Sequence, residues 1–367
     1  MPLRNGAMLF LCAFIWGTAF VAQSVGMDYM GPLTFSGLRF LLGAAVLLPL
    51  VAVRECARRK SGMQAGVQTA ARSGNGAARS QTMAQADSEA VRAQAAARAA
   101  SSAVRSQTTA PADNETAHPQ TVPHSPALGA PYSLRRTVLS GIVLGFVLFC
   151  ASTIQQIALQ TADVGKAGFI TAMYIVIVPV LSFLFTRRFF PRVWVCVAVA
   201  LVGLYFLCVP DGAQAALTAA DGLLLFSALL FAVHILCIAR LGAAADGIAL
   251  SFVQFLVAGA VGTVLALLFE HPQAAALTAG LAPLLYAGVL SSGVAFTLQI
   301  VGQKGVDPTI ASLLMSLESV ISVLAGWAVL GQTLTGRELF GCALMFAAIV
   351  AVQLPGKEKR KSAFSKE

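Results

Sequence analysis

Long apolar runs separated by short polar segments dominate the sequence, and each run is long enough to cross a lipid bilayer as a helix. A helix of about 20 residues covers roughly 30 Å, which is the thickness of the hydrocarbon core. The runs are 6–25, 33–53, 138–158, 168–186, 193–209, 222–239, 248–269, 281–301, 308–330 and 339–354. They predict an all-α integral membrane protein with ten transmembrane helices.

The segment 54–136 interrupts this pattern and is rich in Ala, Gln, Ser, Thr, Arg and Pro. It has too few large apolar side chains to bury a core, so we predict a disordered cytoplasmic linker between the second and third helices. A membrane-surface or partner-binding arm is the alternative. The last residues, 355–367, are predicted to form a basic cytoplasmic tail.

The composition excludes a soluble globular protein. Of the 367 residues, 57% are hydrophobic and 11% are charged, whereas soluble domains have roughly 25% charged residues. The net charge of +9 does not indicate nucleic-acid binding, because the basic residues cluster at the ends of the apolar runs. The seven cysteines are scattered without CxxC spacing or a Cys/His cluster, so neither a disulfide framework nor a metal site is predicted.

The basic residues also predict the orientation. With the N-terminus in the cytoplasm, nearly all Lys and Arg near the span ends lie inside, and the outer connections hold Lys166 and Arg337. The positive-inside rule therefore favours ten spans in the cytoplasmic (inner) membrane with both termini in the cytoplasm. At the last span, Thr335 and Glu338 have the spacing of a capping box, so Glu338 is interpreted as a helix cap.

The two halves of the sequence resemble each other. GAMLF from Gly6 is similar to GLLLF from Gly222, and QQIALQ around Gln156 is similar to LQIVGQ around Gln299. AMYIVIVPVLSFLF also aligns with LMSLESVISVLAGW. Each half, 6–209 and 222–354, holds five predicted spans. Because five is odd, the second repeat must be inverted relative to the first, as in many secondary transporters.

Several stretches then resemble one transporter family. They are IWGTAF around Trp16, VGKAGFITAMYIVIVPVL from Val164, FAVHI around His234, SLESV around Glu318 followed by VLGQTL, and GCALMFAAIVAV from Gly341. In this order they resemble the drug/metabolite transporter superfamily, specifically its EamA-type ten-helix members. The resemblance implies secondary active transport of a small metabolite, an amino acid or a related compound, with export as the direction.

The sequence departs from the family pattern at two positions. Members often have Glu-Pro in the ninth span, where Ser319 follows Glu318 here, and an acidic residue after that span, where Gln332 stands. The first departure weakens the expectation of a kink at Ser319, and the second removes a charge near the membrane edge.

Glu318 is the foremost candidate for the transport site. Asp307 and Pro308 mark the start of its run as an N-cap and a first helical residue. As an uninterrupted helix, the run places Glu318 about 15 Å deep, where a carboxylate costs several kcal/mol unless it is paired, neutralised or hydrated. We therefore predict a cavity residue and proton acceptor. The alternative is a protonated Glu318 that only holds two helices together through a hydrogen bond.

Arg39 and His234 are the next candidates for the cavity. Arg39 needs an anionic partner, either the solute or Glu318, unless its side chain snorkels to the outer interface. His234 is the only histidine within a predicted span, and it is either a protonation-dependent gate or a hydrogen-bonded packing residue.

The remaining candidates are polar or aromatic residues within the spans. They are Trp16, Thr18, Gln155, Gln156, Tyr174, Gln254, Gln299 and Trp327. Trp16 fits a cavity wall or core packing equally well, and Gln156 and Gln299 recur in both repeats. The GIVLG sequence from Gly141 to Gly145 has GxxxG spacing and predicts close helix packing rather than chemistry.

An intramembrane enzyme and a membrane sensor are the competing functional classes. The Asp residues lie outside the span interiors and no GxSG motif is present, so the sequence does not predict an intramembrane protease. A P-loop is also absent, which favours coupling to protons or to a counter-transported solute. A non-transporting sensor or scaffold with a long linker is the alternative. The predicted partners are a small-molecule substrate and the lipid bilayer, without a cofactor, and a homodimeric assembly is left open.

Overall fold

The computed structural model describes residues 1–58, 133–162, 164–187, 191–208, 218–330 and 335–353. Within these residues all regular secondary structure is helical, which confirms an all-α fold. Eight helices in the described part are long and apolar enough to cross a membrane, and Pro191–Phe206 is apolar but shorter. The predicted multi-pass membrane protein is thus confirmed, whereas the count of ten spans stays a prediction.

The helices are named α1 to α14 in chain order. Their bounds are α1 Leu3–Met27, α2 Pro32–Arg58, α3 Leu134–Leu159, α4 Val164–Thr171, α5 Tyr174–Thr186, α6 Pro191–Cys208, α7 Ala219–Leu241, α8 Gly247–Phe269, α9 Ala274–Ala279, α10 Leu281–Leu285, α11 Thr297–Gly302, α12 Pro308–Met315, α13 Leu317–Leu330 and α14 Gly336–Gln353. A 3₁₀ turn, Gly242–Ala244, follows α7, and a π-helix, Tyr286–Phe296, joins α10 to α11. Each predicted apolar run corresponds to one or more of these helices.

The predicted linker 54–136 lies outside the described residues except at its two ends. There α2 continues to Arg58 and α3 begins at Leu134. By its internal contacts the chain divides into a unit of residues 1–51 with 132–367, and a second unit of residues 52–131. Of the second unit, the structure describes the last turns of α2. The predicted basic tail also lies outside the described residues.

Two of the runs predicted as continuous helices are broken. The run 168–186 is divided into α4 and α5, and the run 308–330 is divided into α12 and α13 at Ser316. The ninth run therefore contains a local turn at Ser316, while Pro308–Ala325 remains one helix long enough to span a membrane. At this break the Ser316 hydroxyl donates to Leu313 O at 2.8 Å, and the Ser319 amide donates to Ser316 O at 3.2 Å. These bonds reach back three residues rather than four, and they compete with the regular α-helical pattern.

Glycines allow the close helix packing that the GxxxG spacing predicts. A Cβ atom at Gly145 would lie 2.6 Å from Gln254 O, and one at Gly141 would lie 2.6 Å from Val253 Cβ. No Cβ fits at either distance, so α3 can approach α8 this closely only because both positions are glycine. The packing interpretation of GIVLG is confirmed.

Two helix starts agree with the sequence. Asp307 Oδ1 accepts a hydrogen bond from Thr309 N at 2.9 Å, with Pro308 as the first residue of α12. Before α14, Thr335 N donates to Glu338 Oε2 at 2.7 Å, and Glu338 N donates to Thr335 Oγ1 at 3.2 Å. Glu338 is therefore a reciprocal cap, as its spacing predicts.

The N-terminus of α2 is capped by a carboxylate from the end of α8. Glu270 accepts hydrogen bonds from Leu33 N at 2.8 Å, from Thr34 N at 2.7 Å and from Thr34 Oγ1 at 2.7 Å. Gly31 leaves room for this contact, because a Cβ there would lie 2.3 Å from Glu270 Cδ. The carboxylate thus fixes the start of α2 against the end of α8.

Replacing Glu270 with alanine is expected to lower the free energy of unfolding by about 2–3 kcal/mol, because three donors at a helix N-terminus lose a charged acceptor. Glu270→Gln keeps one acceptor oxygen and is expected to cost less. Denaturant unfolding of the purified full-length proteins in micelles measures both changes. A Glu270→Ala protein as stable as the wild type would contradict the capping role.

At the face where α1 begins, which we call the N-terminal face, α1 holds the end of α11. The buried Asn5 donates through Nδ2 to Gly302 O at 2.8 Å and to Lys304 O at 2.9 Å. The last carbonyl groups of a helix have no partner within the helix. Asn5 therefore stabilises both the end of α11 and the turn that leads to α12.

We expect Asn5→Ala to lower the free energy of unfolding by about 1–2 kcal/mol, since two carbonyl groups lose their donor. Asn5→Asp is expected to be worse, because a carboxylate would face two carbonyl oxygens. Gln160→Ala removes an exposed amide and serves as the control, with an expected change within about 0.5 kcal/mol. The same unfolding assay applies, and equal stability of all three variants would refute the role of Asn5.

Candidate functional site

A cavity lies among helices from both halves of the chain. Its lining residues are Trp16, Phe20, Gln23, Arg39, Gln155, Thr171, Tyr174, Phe231, Ile235, Ser291, Phe296, Gln299 and Glu318. Six of them are predicted from the sequence, namely Trp16, Arg39, Gln155, Tyr174, Gln299 and Glu318. The cavity is thus the candidate transport site.

Glu318 lies at the point where the two broken helices meet. It is the second residue of α13, directly after the break at Ser316, and its side chain is 4% exposed. Its Oε1 accepts a hydrogen bond at 2.9 Å from the hydroxyl of Tyr174, which is the first residue of α5 after the other break. The buried acid therefore links the two breaks across the cavity.

Arg39 neither snorkels to the outer interface nor pairs with Glu318, although both were predicted as alternatives. Its side chain is 2% exposed, so it does not snorkel to an interface. Its Nη1 donates to Gln23 Oε1 at 2.7 Å, and its guanidinium carbon lies 4.7 Å from the centre of the Phe40 ring. Within the described residues Arg39 forms no ion pair with Glu318, so that predicted pairing is wrong in this conformation.

Gln155, Gln299 and Trp16 complete the predicted part of the lining. Gln155 Nε2 donates to Thr171 Oγ1 at 3.1 Å. Gln299 is buried, and its Oε1 has no hydrogen-bond partner in the described structure. Trp16 Nε1 donates to Ser291 O at 3.2 Å. The Trp16 ring also packs edge-on against an aromatic ring of the wall, so this residue serves both as cavity wall and as packing.

Four predicted residues lie outside the lining. His234 Nε2 and Gln254 Oε1 form a buried pair at 3.2 Å, and the His234 ring meets the edge of Phe296. The Thr18 hydroxyl bonds to backbone carbonyls of its own helix and to the Tyr286 hydroxyl, while Gln156 Nε2 lies 3.5 Å from Met27 Sδ. Their roles remain predictions. Trp327 is in α13, but its side chain is outside the described part of the chain.

Sequence reasoning missed Gln23, Thr171 and Ser291 among the polar lining residues. A signal for Gln23 is present, since Trp16, Phe20 and Gln23 follow i, i+4, i+7 spacing and share one face of α1. Thr171 ends α4 just before a break, and Ser291 is in the π-helix. The sequence marks neither irregularity, so it offers no comparable signal for these two.

A second, larger cavity opens at the N-terminal face, between α5, α6, α7 and the start of α12. Asp307 and Arg240 line it, and Pro179 and Leu236 belong to its wall. Pro179 is five residues beyond Tyr174 on α5, and Leu236 follows the central-cavity residue Ile235 on α7. We call this second cavity the vestibule. It ends within about one or two helical turns of the central cavity.

Comparison with known proteins agrees with this architecture. A model of the EamA-like transporter family matches residues 5–67 and 218–354, more than half of the chain. A curated relative, an uncharacterized transporter of Archaeoglobus fulgidus, is 30% identical over 219 residues, covering 58% of this chain and 68% of the relative. A solved structure titled "Crystal structure of protein" has a TM-score of 0.64 at 15% identity and covers 96% of this chain and 97% of its own. That likeness supports the fold alone.

The matched segments contain α1, α2 and every helix from α7 to α14. They therefore contribute Trp16, Gln23, Arg39, Gln299 and Glu318 to the central cavity. The apolar helices, the polar cavity and the family match all indicate a multi-pass membrane transporter. The chain belongs to the EamA-like transporter family.

Proposed function

We propose that this chain is a secondary active transporter that exports a small metabolite, an amino acid or a related compound, across the cytoplasmic membrane. The observation that carries the proposal is the 2.9 Å hydrogen bond from Tyr174 to Glu318 inside the central cavity. It joins two spans, Ala167–Thr186 and Pro308–Ala325, that each contain a local turn next to the bonded residue, and interrupted helices form the substrate and coupling-ion sites of many secondary transporters. Glu318 is the proposed proton acceptor, with exchange against a second solute as the other driving mode.

The proposal includes ten spans arranged as two inverted repeats, 6–209 and 222–354. The corresponding spans of the two repeats are each interrupted by a turn, between α4 and α5 and between α12 and α13. This similarity supports a duplicated architecture. Alternating access would then follow from rocking one repeat against the other around the cavity between them.

The vestibule supports a solute route from the N-terminal face, which the basic residues assign to the cytoplasm. Val178 is buried on α5 directly before the vestibule residue Pro179, and the central-cavity residue Ile235 is buried on α7 directly before the vestibule residue Leu236. In the proposed cycle these apolar side chains separate the vestibule from the central cavity, and they move apart when the cavity opens to the cytoplasm.

Transport by the purified full-length protein in liposomes tests this function. Uptake of each radiolabelled amino acid is measured with an imposed proton gradient and again after a protonophore collapses it, with protein-free liposomes as the control. We expect gradient-dependent uptake of at least one amino acid above the control. If the protein moves none of them by either gradient-driven flux or exchange, the transporter proposal fails and the sensor or scaffold alternative gains support.

A further inference from the structure

Arg39 is a buried cation at the cavity wall, and no carboxylate among the described residues pairs with its charge. Within the described residues its one side-chain hydrogen bond goes to the neutral amide of Gln23, and its Nε has no partner. Of the described residues that line the cavity, the other charged one is Glu318, which bonds to Tyr174. The guanidinium therefore keeps donors available inside the cavity.

The contacts of the Arg39 guanidinium do not compensate its buried charge. The Phe40 ring at 4.7 Å and the Phe35 ring at 5.9 Å provide cation–π contacts to its carbon. Such contacts do not satisfy the N–H donors, and a buried charge is costly without an anion or water. The planar fork of Arg matches a carboxylate in geometry, with two parallel hydrogen bonds.

Gln23 adds a second donor at the same place. Because its Oε1 accepts from Arg39 at 2.7 Å, its amide NH₂ group is turned away from the guanidinium. An amide NH₂ has two donors, and Gln23 itself lines the cavity. A neutral partner that orients Arg39 without cancelling its charge suits a site that binds and releases an anion.

We infer that Arg39 and Gln23 form the subsite for a carboxylate of the transported solute. This inference rests on the proposed transport function and specifies its solute class. The carboxylate binds to the guanidinium and the Gln23 amide, while the apolar part of the solute packs against Phe20, Phe231 and Phe296, which belong to the same wall.

The test is a binding assay with matched probes on the full-length protein in micelles. Butanoate, butanamide and 2-aminobutanoate share one carbon skeleton and differ in whether they carry a carboxylate. Binding to the folded state stabilises it by RT ln(1 + [L]/Kd), so at one ligand concentration the thermal unfolding temperature rises more for a tighter ligand. We expect both carboxylates to protect the wild type and butanamide to fail at the same concentration.

Two variants remove the subsite in different ways. Arg39→Gln removes the charge, and Gln23→Glu supplies an internal carboxylate that competes with the solute. Each is expected to weaken carboxylate binding by about tenfold or more. Gln23→Glu also creates a compensated pair, so it is expected to fold even if Arg39→Gln does not. Arg136→Gln, at an exposed position of α3, is the matched control and is expected to bind like the wild type.

Equal protection by butanamide, undiminished carboxylate binding in Gln23→Glu, or no protection by either carboxylate would overturn the subsite. These outcomes are separable from the failure of transport. A wild type that transports solutes without a carboxylate preference leaves the transport function intact and refutes the subsite. A wild type that binds carboxylates selectively but moves nothing leaves the subsite intact and refutes transport.

Discussion

Replacing Glu318 with glutamine is expected to reduce proton-driven accumulation of the solute by about 10- to 100-fold. This range corresponds to the loss of one hydrogen bond to a charged group, which is worth about 1.5–3 kcal/mol, because each 1.4 kcal/mol corresponds to about a factor of ten. Glutamine has nearly the same size and can still accept from the Tyr174 hydroxyl, but it cannot take up or release a proton. Exchange of solute without a gradient should therefore survive better than accumulation.

Initial rates of accumulation and of exchange in liposomes, at equal protein density, measure this separation. Glu338→Gln is the matched control, because it makes the same chemical change in a cap at the start of α14, where glutamine also fits the capping box. Accumulation by Glu318→Gln at the wild-type rate would contradict a coupling role. It would leave Glu318 as the structural hydrogen-bonding residue that the sequence analysis kept as the alternative.

Replacing Gly17 with alanine is expected to lower the free energy of unfolding by about 1–3 kcal/mol, as overpacking of a core does. The new Cβ would lie 2.6 Å from Glu318 O and 2.7 Å from Ile321 Cβ on α13. A backbone carbonyl cannot rotate away as a side-chain end can, so α1 and α13 must separate. Because Trp16 and Glu318 flank this contact, the cavity should be distorted as well.

Gly222→Ala is the matched control for this prediction. Gly222 is also helical, but a Cβ there meets nothing within 4 Å, so alanine should stabilise α7 by up to about 1 kcal/mol through helix propensity. Thermal unfolding in micelles, combined with the transport assay, compares the two variants. If Gly17→Ala is as stable as Gly222→Ala and transports normally, the close approach of α1 and α13 contributes to neither stability nor transport.

Two helix ends are held by polar side chains that no local sequence pattern predicts. Glu270 and Asn5 bind backbone groups at opposite ends of the bundle, and neither was predicted as a structural or a functional residue. Both come from positions distant in sequence from the groups they bind, such as Asn5 and Gly302. Local rules recognise a cap only when it lies within a few residues of the helix end, which is why Asp307 and Glu338 were predictable and these two were not.

The sequence by itself determined the membrane character of the chain, the positions of its helices, the GxxxG contact of α3 and the presence of a carboxylate, Glu318, within an apolar run. These follow from properties that do not depend on distant contacts, because apolar length sets a span and a carboxylate within a span is costly wherever it lies. The pattern also identified six residues of the central cavity. It did not reveal that α12 ends at Met315 or that a π-helix runs through Tyr286–Phe296.

The tertiary structure alone decided which polar residues share the cavity. Hydropathy specifies the depth of a residue along a helix but not the rotation of that helix or its neighbours. Rotation is set here by close contacts such as Gly17 against the backbone of Glu318. Those contacts direct Arg39 to Gln23 rather than to Glu318, and pair His234 with Gln254 outside the cavity. A shift of one residue turns a helix face by about 100°, so residues of similar depth and polarity reach different surroundings only through packing.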